Sequence, residues 1–417
     1  MLRRSRRVVI TGLGVVAPNG IGKDAFWSAL VAGKSGIDYI NAFDASSYSC
    51  QIAGEVKGFV PSDFISARKA KTMGRFSQLA LASARLAVED AALRITSSLA
   101  PQMTICFGTA ASGVGDIAES TMDALRVGGP KSVQPWSALE FPSHTAASYL
   151  AIEFGIKGRA MTISSNCCTS LDAIQTGFEQ IVEGRAKVAL TGGSDAPIFP
   201  SPFSAFCALG SLTKRNDAPT EASRPYDLLR DGAVVSEGGV TLILEDYEFA
   251  MDRGAPIYAE ILGYGSASEA IGMRKGDITG RVMAQAIQAA IANAGLRPSH
   301  IDHANTHGSS LPDYDVCDTN ALKIALGAHA YKIPVVSIKS MIGQPLAAAT
   351  GFQTASGCLS IRDQRLPPTI NQTVPDPQCD LDYVPNVTRA ARVNRVLING
   401  HSYGGSVSAL IIGKVES

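Results

Sequence analysis

Apolar runs of β-branched residues recur along the chain, each closed by a glycine or a polar turn: RVVITGL near residue 10, MTICFGT near 105, AMTISSN near 163, KVALTGG near 190, VTLILED near 243, PVVSIKS near 337 and RVLINGH near 398. Runs this short, rich in Val and Ile and bounded by turn residues, predict buried strands. Between several of them the apolar positions return every three or four residues, predicting helices over 172–183 and 281–295. Strands alternating with helices predict an α/β fold with at least partly parallel sheets.

The pattern repeats. TISSNCCTSLDAIQTGF (162–178) and VSIKSMIGQPLAAATGF (336–352) share one plan: a strand, a tight polar turn, then a helix of small residues. KVALTGGSDAP (187–197) and RVLINGHSYGG (395–405) follow in the same order, each a strand running into a glycine turn. Two echoes in register predict two similar halves. The boundary falls before IYAEILGYG (257–265), giving units of 1–256 and 257–417.

Composition narrows the class. At 417 residues, 46% hydrophobic and 18% charged, the chain is long enough for more than one core and too apolar to be disordered. Lys+Arg and Asp+Glu both total 37, which argues against broad nucleic-acid or membrane-surface binding. No apolar run is long enough to span a bilayer. MLRRSRRVVITGLGVVAPNG has the basic start of a signal peptide, but its Val/Ile content and its glycines fit a first strand better. Eight cysteines without metal-ligand or disulfide-framework spacing fit a reducing cytoplasm.

Candidate chemistry collects at the turns. Cys167 and Cys168 sit where a strand hands over to a helix beginning near Thr169. Unpaired helix N–H groups and the helix dipole favour a thiolate there and predict a lowered pKa. A buried structural cysteine is the alternative, and turn physics does not separate the two thiols. His307 ends a short strand before Gly308-Ser309-Ser310, where a scaffold can hold a base, whereas His303 within that strand reads as structural. If the halves pack about a pseudo-twofold axis, the turn carrying Lys339 and Gln344 faces the cysteine turn. The last glycine turn, with Gly404, can bring backbone N–H groups close to an oxyanion.

RRVVITGLGVVAPNG, FGTAASGVGD, the cysteine turn, RPYDLLRDGAVVSEGG, NTHGSSLPDYDVCD, KSMIGQPLAAATG, LPPTINQ, CDLDYVPN and NGHSYGGS appear in one order across nearly the whole chain. In this the chain resembles the β-ketoacyl-acyl-carrier-protein synthases of type II fatty acid and polyketide systems. The resemblance implies a thiolase-like α/β fold, two βαβαβαββ halves in a five-layer αβαβα arrangement. It implies acyl transfer from a carrier protein to a cysteine, then decarboxylative condensation with malonyl carrier protein. Cys-Cys-Thr-Ser-Leu matches the family pattern without gaps when Cys167 is the nucleophile. His307 and Lys339 take the catalytic histidine and lysine, and Asp318 falls where a glutamate usually holds that lysine. Tyr403 falls at the aromatic gate, its N–H forming an oxyanion hole with that of Cys167. Val114 falls where the acyl pocket is limited at a dimer interface.

Two departures stand out. The second catalytic histidine is replaced by Gln344, which can donate a hydrogen bond but cannot act as a base. The Phe-Gly-Phe gate reads His401-Ser402-Tyr403. A non-decarboxylating acyltransferase and a chain-length-factor-like partner are the alternative functions. A degradative thiolase is disfavoured, because HSYGG lacks a second cysteine. The implied partners are an acidic acyl carrier protein, docked by Arg68, Lys69, Lys71, Arg75, Lys214 and Arg215, and a second subunit in a homodimer or heterodimer. No cofactor beyond the carrier's phosphopantetheine, and no metal, is expected.

Overall fold

The computed structural model describes residues 6–416; the first five, with Arg3 and Arg4 of the basic start, lie outside the described residues. Ten strands run side by side: β1 (Val8–Ala17), β2 (Met103–Gly108), β3 (Ala160–Ile163), β4 (Val188–Asp195), β5 (Gly238–Asp246), β6 (Ala259–Ser268), β7 (His303–Asn305), β8 (Val335–Val336), β9 (Arg395–His401) and β10 (Ser406–Gly413). Their spatial order is β3-β2-β4-β5-β1-β6-β10-β9-β7-β8, and an eleventh strand, Gly20–Ile21, folds back on β1.

The two five-strand halves have one topology. In the first, β2 runs parallel to β3 and β4, and β5 is antiparallel to β4 and β1. In the second, β7 runs parallel to β8 and β9, and β10 is antiparallel to β9 and β6. Among the described residues, the two halves of the sheet pair at β1 and β6 through Val9 with Glu260 and Ile10 with Ala259. All seven predicted strands are present, but PVVSIKS contributes only Val335–Val336, because Lys339–Ile342 turns into a short helix.

Six helices complete five layers: α1 (Arg75–Asp90), α2 (Thr145–Phe154), α3 (Thr169–Val182), α4 (Arg281–Asn293), α5 (Pro312–Leu326) and α6 (Ala349–Asp363). The alternation within β5 shows how the layers form. Leu242 and Leu244 point to a central core shared with Leu171, Ile174 and Phe178 of α3 and Phe352 and Leu359 of α6. Ile243 points the other way, to a core with Leu79 of α1 and Leu150 of α2. In the second half, Leu397, Val407 and Ile411 face Ile287 of α4 and Leu322 of α5. The helices α3 and α6, one from each half, therefore lie back to back between the two five-strand halves of the sheet, and the outer helices cover the outside.

The duplication reaches single atoms. A Cβ on Gly14 of β1 would lie 1.8 Å from the Ser83 carbonyl oxygen of α1, and one on Gly265 of β6 would lie 2.2 Å from that of Ala286 of α4. Glycine at both places lets the outer helix lie directly on the strand.

Candidate active site

The two helices of the middle layer start beside each other. Ser170 Oγ of α3 donates to the Ala347 carbonyl at 2.5 Å, the Leu171 N–H donates to Thr350 Oγ1 of α6 at 3.2 Å, and that hydroxyl donates to the Cys167 carbonyl at 3.2 Å. These bonds fix the turn of each half against that of the other. Cys167 lies in the tight turn Asn166–Cys168, with Asn166 at a left-handed φ of 54°.

The turn separates the two thiols. Cys167 lines a narrow pocket together with His307, Gln344, Tyr403, Tyr314 and His401. Cys168 is fully buried behind it, its N–H on Ser402 Oγ at 3.0 Å and its sulfur 3.4 Å from the Ser406 carbonyl. Burial pushes the Cys167 thiol up to about 12, while the Lys339 ammonium pulls the other way. The lowered pKa expected from the helix start alone is therefore corrected: desolvation of the anion outweighs what the turn offers.

Gln344 Nε2 donates to the Cys167 sulfur at 3.2 Å. The glutamine's backbone is clamped in strand-like fashion, its N–H on the Val234 carbonyl at 2.8 Å and its own carbonyl receiving Ser236 N–H at 3.1 Å. His307 accepts the His401 N–H on Nδ1 at 3.2 Å. Burial, reinforced by Lys339 and His401, holds this imidazole well below its usual pKa, so it is neutral. With Nδ1 accepting, its one proton sits on Nε2, which makes the ring a donor rather than the base first expected.

Lys339 is buried and lowered to about 8, chiefly by desolvation. Its Nζ donates to the His307 carbonyl at 2.6 Å and to Gln353 Oε1 at 3.0 Å. The expected hold by Asp318 is thus corrected. That carboxylate is occupied by the Gly308 N–H at 2.7 Å, Asn399 Nδ2 at 2.7 Å and the Tyr226 hydroxyl at 3.2 Å, so it positions the histidine loop instead. Gln353 was missed by the sequence reading. Its side-chain N–H groups also bond the Asn305 and Asn399 carbonyls, both at 3.0 Å, tying β7 and β9 to α6. The available signal was a long amide in an otherwise small-residue and apolar helix. Asp195 was missed as well; it accepts from Thr109, Ala110, Ala111 and Ala347, linking the turns of both halves.

The backbone N–H groups of Cys167 and Tyr403 donate to no other described residue, and both residues line the pocket. The Gly404 N–H instead donates to the Met273 carbonyl at 3.0 Å, which corrects its expected oxyanion role. Val114 is 50% exposed and outside the pocket lining of the single chain. The docking cluster divides. Arg75 binds Glu237 with two bonds of 2.6 Å, Lys69 binds Glu153 at 2.6 Å and Arg215 pairs with Glu221 at 3.3 Å. Arg68, Lys71 and Lys214 are exposed and unpaired among the described residues.

A duplicated five-layer α/β fold with a thiol at a helix start, a neutral imidazole and an amide donor in one pocket defines a thiol acyltransferase of the condensing class. The Beta-ketoacyl synthase N-terminal domain matches residues 5–250 and the Beta-ketoacyl synthase C-terminal domain matches residues 258–373. The chain belongs to the β-ketoacyl synthase family and is an acyltransferase. It is 38% identical over 410 residues, 98% of its length and 99% of the relative's, to 3-oxoacyl-[acyl-carrier-protein] synthase 2 of Coxiella burnetii. It is 39% identical over 414 residues, 98% of its length and 97% of the relative's, to the tetracenomycin polyketide synthase ketoacyl synthase alpha subunit of Streptomyces glaucescens. Among solved structures, a type II polyketide ketosynthase in complex with its acyl-carrier protein superposes with a TM-score of 0.91 at 35% identity, covering 99% of this chain and 100% of that one. The ishigamide ketosynthase/chain length factor gives 0.92 at 32% identity, with the same coverage.

Proposed function

We propose that the protein elongates acyl chains on an acyl carrier protein by decarboxylative condensation, with Cys167 as the acyl carrier. The contact of Gln344 with the Cys167 sulfur, beside a neutral His307, carries the reading. In the first half-reaction the sulfur attacks the acyl thioester. The carbon–sulfur bond to phosphopantetheine breaks, and the departing thiol takes the proton that Cys167 loses. In the second, His307 Nε2–H and the Gln344 amide donate to the malonyl thioester carbonyl. The bond to the carboxylate breaks, CO2 leaves, and its electron pair becomes the enolate. The enolate carbon attacks the Cys167 thioester, the oxyanion rests on the N–H groups of Cys167 and Tyr403, and as it collapses the Cys167 sulfur departs as a thiolate that takes a proton from water. The product is a β-ketoacyl thioester two carbons longer.

The partner is an acidic carrier protein, approached through Arg68, Lys71 and Lys214. A second subunit, the same chain or a chain-length-factor-like one, completes the acyl pocket beside Val114. Eight unpaired cysteines support a reducing cytoplasm, and no helix among the described residues is long and apolar enough to cross a membrane. Intact-mass analysis with a panel of acyl carrier proteins tests the reading. One acyl adduct per chain, lost in Cys167→Ala, together with release of labelled CO2 from malonyl carrier protein, is the expected result. An adduct without CO2 release selects the non-decarboxylating acyltransferase, and no adduct at all selects the scaffold subunit.

A further inference from the structure

Behind the pocket, three residues from distant parts of the chain converge: Glu269 just after β6, Cys317 in α5 and His401 at the end of β9. Their ligand atoms all lie within 4.8 Å of one another, and all three side chains are more than nine-tenths buried. We propose that Glu269, Cys317 and His401 form a zinc site that staples the tyrosine gate to the scaffold.

The polar groups here lack the partners that burial demands. Among the described residues, neither ring nitrogen of His401 has a hydrogen-bond partner, and Glu269 Oε1 has none. Yet His401 Nε2 and Glu269 Oε1 stand 3.1 Å apart without hydrogen-bond alignment. Two ligands of one tetrahedral ion, each about 2.0–2.1 Å from it, are separated by roughly 3.3 Å, so the pair is spaced like one edge of a coordination sphere. Buried polar atoms left unsatisfied are rare and costly, and an ion is one of the standard explanations.

The donor set selects the metal. One imidazole nitrogen, one thiol sulfur and one carboxylate oxygen suit zinc, whereas magnesium and calcium require oxygen ligands. With the thiol deprotonated, a thiolate and a carboxylate balance the 2+ charge, leaving a neutral cluster that burial tolerates; binding releases one proton from Cys317. The fourth position falls to a water.

The ligands are already braced. Glu269 Oε2 accepts the Asp277 N–H at 3.2 Å, and the Glu269 N–H donates to the Gly405 carbonyl at 2.9 Å. The Tyr314 ring lies 4.4 Å from the His401 ring, centroid to centroid. The same His401 supplies the N–H that fixes His307 and stands two residues before Tyr403. A metal here therefore holds the catalytic imidazole and the gate by one residue.

The test uses full-length Cys167→Ala protein, so that the pocket thiol cannot bind the probe. Metal content is measured by mass spectrometry, then the protein is stripped and titrated with Co2+. One zinc per chain as purified, or saturable binding of one Co2+ with a thiolate-to-cobalt charge-transfer band, is expected. That band disappears with Cys317→Ser, and Glu269→Gln weakens binding about tenfold or more. Circular dichroism checks that each variant is folded, and if Cys317→Ser is not, Glu269→Gln decides alone. Absence of stoichiometric metal with either probe, or binding unchanged in the folded variants, overturns the site and leaves a buried His–Glu pair.

Discussion

Cys167 is held as a thiol, because its anion would be buried and Lys339, the cation that favours it, is itself lowered to about 8. Below the thiol pKa of about 12, the thiolate fraction grows tenfold for each pH unit. Loss of the Lys339 charge above about 8 removes attraction and pushes the thiol further up. Alkylation of Cys167 by iodoacetamide, followed by peptide mass spectrometry, should therefore rise from pH 6 past pH 9 without levelling; a plateau near neutrality would show that the helix start prevails. Gln344 offers a donor and no base. Removing that donor with Gln344→Ala should lower CO2 release about 10²-fold while Cys167 is still acylated. Loss of acylation to the same extent would place the amide in the first half-reaction instead. Gln344→His restores an imidazole and should raise release above that of the alanine variant.

At the scale of elements, the site depends on two strand–turn–helix units meeting across the middle layer. What keeps each unit in place is the close seating of α1 on β1 and of α4 on β6. A methyl group at Gly14 or Gly265 would strike helix backbone, which cannot rotate aside. Gly14→Ala and Gly265→Ala should each cost about 3 kcal/mol or more in chemical denaturation. Were both neutral, the contact between strand and outer helix would be looser than its geometry indicates. The duplication was legible because TISSNCCTSLDA and VSIKSMIGQPLA share one plan, and because KVALTGG and RVLINGH follow them in the same order. The brevity of β8 was not. Ile338, Met341 and Ile342 are buried as fully as a strand would bury them, so an apolar run looked the same in either conformation.

For the whole molecule, the balanced charge conceals an uneven distribution. Arg75, Lys69 and Arg215 are engaged within the chain, and Arg68, Lys71 and Lys214 face solvent. Reversing the exposed three to glutamate should raise KM for a carrier-protein substrate about tenfold at low salt, with a smaller effect at high salt, and leave turnover of a free pantetheine thioester unchanged. Equal losses with both substrates would mean that the charges support the fold rather than docking. Sequence spacing could not distinguish these roles, since a paired and an unpaired arginine look alike until their carboxylates, as distant as Glu237 from Arg75, are brought beside them.

Local order determined what it could encode locally: the strands, the helix starts, the repeat, and a cysteine, histidine, lysine and glutamine each placed at a turn. Periodicity and turn chemistry act over a few residues, so they can be read along the chain. Packing of one half against the other decided the rest. It set which of two adjacent thiols opens to the pocket and made Gln353 rather than Asp318 the partner of Lys339. It also dried the site enough to raise a thiol and neutralise an imidazole, and gathered Glu269, Cys317 and His401 from three elements. Burial and long-range pairing are properties of the closed fold, and no stretch of sequence carries them by itself.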